Sequence, residues 1–196
     1  MTGVRFSEKM SGTVAPVAEP TSRSVAVLRG AVIIPDLDAF LDDPNHKGLL
    51  QGHVRVDALA SGWLPAEGHV QLFSMGTRLG ERLMIYRMEL ELGGARYAMD
   101  GTKYVYDDPG FDAWRDVTTL ATSIIRYDPD GKETVAFSGT LRLTLWQGVL
   151  LFLTLRGTGG GGFWAKLRAV IRFAQFFLAE WIERFLPLAE KRPSSG

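Results

Sequence analysis

The sequence predicts a mainly β fold, an antiparallel β-barrel or β-sandwich of about 8–10 strands, with a long C-terminal amphipathic α-helix. Short runs that alternate apolar and polar residues recur along the chain, and this is the period of a half-buried strand. Turn signals separate the runs with few residues between them, so we expect neighbouring strands to pair antiparallel. Beyond residue 162 the period changes to that of a helix.

The first elements belong to a β-domain that we assign to residues 1–156. Residues 11–24 are rich in serine, proline and small side chains, which predicts a loop after a short N-terminal strand. The next strands are each expected to begin at a glycine that precedes a strand-like run: Gly30, Gly52, Gly68, Gly101 and Gly139.

Two tight turns are predicted within the β-domain. Gly93-Gly94 joins two alternating runs, which is typical of a hairpin. Asp128-Pro-Asp-Gly131 stands between two further strand-like runs and carries the residue types that turns prefer.

The C-terminal part is predicted to be a helix on a flexible connection. Residues 157–162 include four consecutive glycines and predict a hinge. Residues 163–187 form the helix, which ends at Pro187, and residues 188–196 form a tail. The predicted packing face consists of seven residues: Leu167, Val170, Ile171, Leu178, Trp181, Ile182 and Phe185.

Composition excludes several classes of protein. The formal net charge is zero, with 22 basic and 22 acidic residues, so no basic surface for nucleic acid is expected. Cysteine is absent, which excludes disulfides and thiolate chemistry. The first ten residues lack the apolar core of a secretory signal, and no apolar run has the length of a spanning helix. We therefore expect a cytoplasmic protein.

An acidic segment lies between two predicted strands. It contains Trp114 together with the four carboxylates of Asp107, Asp108, Asp112 and Asp116. Carboxylates at this density are able to bind calcium, although their spacing does not match the calcium loop of helix–loop–helix proteins. They are also able to cap turns around Pro109-Gly110 or to contact another ligand, and these alternatives stay open.

Catalytic motifs are sparse. His46 lies in a polar loop and is a candidate acid–base group, whereas His53 and His69 are expected on strands. No serine lies in a nucleophile elbow, and the glycine run lacks a phosphate-binding pattern. We expect no catalytic residue, no cofactor and no metal.

The helix offers an alternative to packing on its own chain. Aromatic residues with basic residues among them are typical of a membrane interface or of a partner surface. The candidates for that face are Trp164, Phe173, Phe176, Phe177, Trp181 and Phe185.

Five segments in order resemble an accessory domain found beside or fused to bacterial oxidoreductases of the glucose–methanol–choline type, including cholesterol-oxidase-like proteins. They are Phe6–Gly12, Asp43–Gly52, Met84–Met88, Gly101–Asp108 and Trp114–Leu120. The resemblance implies a non-catalytic partner of enzymes that act on sterols or other lipids. Its segments, with the acidic segment, supply the candidate ligand-binding residues: His46, Lys103, Asp108, Asp112, Trp114, Asp116, Thr118 and Thr119.

Three functions follow as hypotheses. The first is a lipid- or steroid-binding or membrane-associated accessory domain that works beside an oxidoreductase, with an apolar ligand in the barrel. The second is a small enzyme in which His46 and Asp108 or Asp112 act as acid–base groups. The third is an interaction module that docks a partner protein through its helix, with the β-domain folding without that helix.

Overall fold

The computed structural model describes residues 1–78, 80–105 and 118–185, without the side chains of residues 145, 148–150 and 181–185. In chain order the elements are β1 (Thr2–Pro16), β2 (Ser24–Ile34), α1 (Leu37–Asp42), β3 (Lys47–Val56), β4 (Leu64–Met75), β5 (Arg82–Leu92), β6 (Ala95–Val105), β7 (Thr119–Tyr127), β8 (Glu133–Arg142), α2 (Leu145–Thr154), β9 (Arg156–Gly159) and α3 (Phe163–Phe185).

The strands form a closed antiparallel barrel. Each of β1 to β7 pairs with the next strand along the chain. Strand β1 closes the barrel, because one of its edges pairs with β2 and the other with β8 and then β9. Closure removes exposed strand edges, and it decides between the two predicted architectures in favour of the barrel.

Alternation along the strands divides core from surface. On β1, Val4, Phe6, Met10 and Val14 point inward and are at most 3% exposed, and corresponding positions on the other strands join them in one core. Side chains two positions apart share one face of a strand, which is why the sequence period predicted these strands correctly. Burying each large apolar side chain contributes roughly 1.5–3 kcal/mol to the free energy of folding.

Both predicted turns are present. Gly93 and Gly94 join β5 to β6 with φ angles of 59° and 77°, which glycine adopts at little cost. Between β7 and β8, the Asp128 side chain accepts hydrogen bonds from the backbone N–H groups of Asp130 and Lys132. Local turn chemistry therefore sets the register of two hairpins.

The glycines expected at strand starts lie inside strands instead. At Gly52 an added Cβ would stand 2.1 Å from the carbonyl oxygen of Arg29, and at Gly68 it would stand 2.0 Å from that of Arg87. Neighbouring backbones approach so closely at these points that no side chain fits. These glycines permit close strand packing in a small barrel, and the prediction that they mark strand starts was wrong.

Two other boundaries differ from the prediction. Residues 11–16 continue β1 rather than forming a loop, and the connection to β2 covers only residues 17–23. The glycine segment is only partly a hinge, since Arg156–Gly159 forms β9 against β1. Pairing with neighbouring strands overrides the weak strand propensity of serine and glycine in both places: residues 11–16 pair with β2 and β8, and β9 pairs with β1.

Helix α3 packs across one end of the barrel, which we call the helix end. Its buried residues are Ala169 and Phe173, with Phe176 and Phe177 partly buried against the core. Of the predicted packing face, Leu167, Ile171 and Leu178 are instead 37–48% exposed. Within the described ranges, no helix has both the length and the apolar character that crossing a membrane requires.

Candidate functional site

The barrel interior contains a polar group of three side chains, Glu8 on β1, Tyr86 on β5 and Lys103 on β6. We call it the interior cluster. Each residue occupies an inward-facing position between apolar neighbours, as Glu8 does between Phe6 and Met10. The three residues are 2–4% exposed, so the strands carry ionisable groups into the core.

Hydrogen bonds connect the three groups in a chain. The Lys103 ammonium donates to the Tyr86 hydroxyl at 3.1 Å, and that hydroxyl donates to Glu8 Oε2 at 3.3 Å. The Lys103 nitrogen lies 3.9 Å from the same carboxylate oxygen, within ion-pair range but beyond a direct hydrogen bond. Tyr86 thus bridges the two charges.

Burial shifts the pKa of all three groups. Desolvation raises the pKa of Glu8, although the Lys103 charge and the Tyr86 hydrogen bond oppose the shift. Desolvation likewise lowers the pKa of Lys103, although the negative charge of Glu8 opposes this shift. The pKa of Tyr86 is raised by burial and then by the Glu8 charge. Each shift favours the neutral form of the group, as expected for ionisable groups in an apolar interior.

One carboxylate oxygen of the cluster makes no hydrogen bond to the described residues. Glu8 Oε1 is buried and has no hydrogen-bond partner among the residues that the structure describes. A buried polar atom without a partner costs about 1–3 kcal/mol, and more when it carries charge. Such atoms are uncommon in folded proteins, and a bound water, a bound ion or a catalytic role is the usual explanation for one.

The helix end above the cluster is covered by phenyl rings of α3. Phe173 stacks 5.5 Å from Phe6, and Phe177 contacts Phe73 at 5.2 Å. We call Phe173, Phe176 and Phe177 the aromatic plug. Phe6 and Glu8 are alternate residues on one face of β1, about 7 Å apart along the strand, so the cluster lies next to the ring that the plug contacts.

His46 belongs to this cover. Its ring lies 4.6 Å from Phe176 and 5.3 Å from Phe40. Its Nδ1 is 3.0 Å from the carbonyl oxygen of Leu72, whose N–H donates back to the His46 carbonyl. Both His46 and Phe73 have positive φ angles, 46° and 54°, an uncommon strain that aims both rings at Phe176. His46 is thus positioned as a packed ring.

The other predicted site residues fall in several places. Lys103 is in the interior cluster. Thr118 is buried, and its carbonyl accepts a hydrogen bond from the Leu143 N–H. Thr119 alternates with the inward-facing Leu120, so it lies on the opposite face of the sheet from Lys103. The remaining candidates lie outside the described residues: Asp107, Asp108, Asp112, Trp114 and Asp116.

The predicted membrane or partner face divides into separate parts. Phe173, Phe176 and Phe177 pack on the barrel, so placing them on an outward face was wrong. Trp164 is 74% exposed and remains a candidate. The side chains of Trp181 and Phe185 lie outside the description.

Sequence reasoning missed Glu8 and Tyr86. The available signal was a charged residue at an apolar position of a period-two run, as in Phe6-x-Glu8-x-Met10 and Gly101-x-Lys103-x-Val105. Opposite charges at inward positions of two strands predict a buried pair, since neither is tolerated alone in a core.

The barrel wall carries a concave feature on its outer side. A groove of about 970 Å³ runs over the outer faces of β3 to β6 and is lined by His53, His69 and Arg87, among others. Arg87 forms ion pairs with Asp100 at 3.1 Å and with Glu133 at 2.9 Å. Among the described residues, no three acidic or histidine side chains converge as metal ligands would. The groove therefore offers a charged surface without a defined centre.

Comparison with known proteins yields no match: no protein-family model, no curated protein and no solved structure is similar to this chain.

Proposed function

We propose that the barrel binds an amphipathic small molecule of the lipid or steroid class, with one polar group held at the interior cluster. The observation that carries this proposal is Glu8 Oε1, a buried carboxylate oxygen without a described partner. A ligand hydroxyl is the simplest group that satisfies it, because a hydroxyl donates to the carboxylate and also accepts from a nearby donor.

The remaining chemistry of the interior suits a hydrocarbon body. Apart from the cluster, Glu81 and three threonine and serine hydroxyls, the described buried side chains are aliphatic, methionine or aromatic. Methionine is flexible and adapts to irregular apolar shapes, and Met10, Met84, Met88 and Met99 all lie in this core. A mostly apolar lining with a few polar groups is the usual composition of a ligand pocket.

Access is proposed through the helix end. The aromatic plug occupies the position where the body of the ligand would leave the barrel. Residues 160–162, which connect β9 to α3, are all glycine, so this connection permits α3 to move aside. In this proposal the ligand replaces phenyl rings with its own apolar surface, which keeps the exposed apolar area small during exchange.

The resemblance supports the choice of ligand class. Three of its five segments, Phe6–Gly12, Met84–Met88 and Gly101–Asp108, supply Glu8, Tyr86 and Lys103. Work beside an oxidoreductase is part of the proposal and rests on that resemblance alone.

The first test is native mass spectrometry of the purified protein with organic extraction, followed by titration with a fluorescent sterol and a fluorescent fatty acid. We expect one of these probes to bind and Glu8→Gln to weaken it about 10- to 100-fold, since a hydrogen bond to a charged group contributes about 1.5–3 kcal/mol. Glu89→Gln, on the exposed wall, is the matched control and should bind normally. Absence of any extracted lipid together with no probe binding would refute the proposal.

A second candidate is an acid–base enzyme acting on an apolar carbonyl compound. It is favoured by three hydrogen-bonded ionisable groups whose pKa values are all shifted by burial. In such a reaction Glu8 would remove a proton from the carbon next to the carbonyl. The electron pair would move to the carbonyl oxygen, where the Lys103 ammonium donates a hydrogen bond.

This candidate differs from simple binding in one measurable product. Proton removal and return in D₂O would place deuterium on the carbon next to the carbonyl of 5-androstene-3,17-dione or a related ketosteroid. The enzyme hypothesis predicts incorporation that is at least about 100-fold slower with Glu8→Gln, because proton transfer by a positioned base contributes about that factor or more. Binding of the ketosteroid without deuterium incorporation would refute the enzyme hypothesis and leave ligand binding as the proposed function.

A further inference from the structure

Helix α3 has a second apolar face, opposite the aromatic plug. Trp164, Leu167, Ile171 and Leu178 are 74%, 37%, 48% and 44% exposed. With Ala174 they recur at alternating intervals of three and four residues, and we call these five residues the outer seam. That spacing is the pattern of a helix that packs lengthwise against another helix.

The seam is symmetric about its centre to within one residue position. Ala174 is the small residue in the middle, with Ile171 three positions before it and Leu178 four positions after it. The interval pattern continues in the sequence through Trp181 and Phe185, opposite Leu167 and Trp164. If two such helices run antiparallel with Ala174 at the crossing, each large apolar position meets another, and the two backbones approach closest at alanine.

The charges along α3 favour the same arrangement. Residues 163–172 contain three basic residues and no acidic one, whereas residues 178–185 contain two acidic residues and one basic. Arg172 and Glu180 are already paired with side chains of their own chain. Antiparallel pairing keeps the other basic residues of the first half, Lys166 and Arg168, of the two helices apart, and it also opposes the two helix dipoles. Parallel pairing would bring like charges together.

We infer that the outer seam binds the outer seam of a second copy of this chain, antiparallel and with a two-fold axis near Ala174. A membrane surface fits less well, because an interfacial helix usually has basic residues along its whole polar face and a broad apolar one. Here three of the four basic residues of α3 lie in its first half, and the centre is alanine.

Solution mass measured by light scattering tests the association. We expect twice the chain mass of 21.6 kDa for the wild type and the single-chain mass for Ile171→Glu. Leu49→Glu is the matched control, because Leu49 has the same 48% exposure but lies on the barrel wall; it should stay dimeric. Circular dichroism verifies that each variant is folded. A monomeric wild type at about 100 μM would overturn the inference.

Cysteine cross-linking tests the orientation, and the chain has no cysteine of its own. A short bismaleimide should link Ala174→Cys to its copy, but not Trp164→Cys, because antiparallel helices separate the two copies of residue 164 by about 30 Å. Linkage of both variants would indicate parallel helices and overturn the inference. So would a monomeric wild type that binds phosphatidylcholine–phosphatidylglycerol vesicles through Ile171, which would assign the seam to lipid.

Discussion

We expect Lys103→Met and Glu8→Gln to change the pH dependence of stability in opposite directions. Each variant removes one partner of a buried pair, and the free energy of unfolding should fall by about 3–5 kcal/mol where the remaining group is forced to carry charge. The two losses appear at opposite ends of the pH range, because one remaining group is an acid and the other is a base.

In Lys103→Met the remaining group is Glu8. Its pKa in the folded protein is already raised above the ordinary 4.5 by burial, and the loss of the Lys103 charge raises it further. Stability is therefore complete below about pH 4.5 and is lost as the pH rises through the folded-state pKa. Over that window the unfolded chain binds fewer protons than the folded one, so the free energy of unfolding falls by about 1.4 kcal/mol per pH unit.

In Glu8→Gln the remaining group is Lys103, and the sign reverses. Burial lowers its pKa below the ordinary 10.5, and without Glu8 nothing in the cluster opposes that shift. The unfolded chain now binds more protons between the folded-state pKa and 10.5. Stability is thus complete above about pH 10.5 and is lost as the pH falls through the folded-state pKa.

Urea unfolding of both variants between pH 5 and 9 measures the two slopes. If the free energy of unfolding changed with pH in the same direction in both variants, the buried pair of Glu8 and Lys103 would be contradicted. The double variant Glu8→Gln with Lys103→Met should lose both slopes and recover most of the stability, since removing both charges from a core is often neutral or stabilising. A double variant that is stable yet fails to bind sterol or fatty acid would show that the charges serve ligand recognition rather than folding.

The local part of the fold was predictable. Period-two alternation depends only on which residues face the core, and the turns at Gly93-Gly94 and Asp128–Gly131 depend on residues next to each other in sequence. The barrel itself was not predictable over the sandwich, because closure depends on one strand, β1, pairing at both edges with strands far along the chain. Such pairing leaves no local signal.

The interior cluster was even harder to predict from local sequence than the closure of the barrel. Tyr86 lies 78 positions from Glu8 and 17 from Lys103, so only the closed barrel brings the three groups together. Lys103 was a candidate through the resemblance, whereas the acidic segment attracted attention because its carboxylates are neighbours in sequence. Charge density along the chain is a poor guide to a site that strands assemble from both ends of a domain.

The predicted packing face of α3 was wrong for a different reason. The helix is apolar on two faces, and the sequence period cannot tell which of them packs on the barrel. Rings at the helix end, including Phe6, Phe40 and Phe73, select the phenylalanine face because aromatic rings pack well in tilted and edge contacts. The aliphatic seam is then left outside.

Phe173→Ala should give the second large effect. Phe173 is 1% exposed and contacts the rings of Phe6, Phe40, Phe176 and Phe177. Replacing a buried phenylalanine by alanine leaves a cavity and costs about 3–5 kcal/mol. Urea unfolding should therefore show a loss of this size. Phe163→Ala is the matched control in the same helix, because Phe163 is 71% exposed and the loss there should stay below about 1 kcal/mol.

Because the aromatic plug packs on the core, we expect residues 1–156 to be unstable without the helix, contrary to the prediction from the sequence. A chain that ends at Arg156 would lack the aromatic plug and most of β9, so the rings of the helix end would face water. We expect such a chain to aggregate or to unfold at a lower urea concentration than the intact protein. If the short chain and Phe173→Ala were both as stable as the wild type, α3 would only rest on the barrel. Moving α3 away from the helix end to admit a ligand would then cost little free energy, because removing the plug would leave the barrel itself intact.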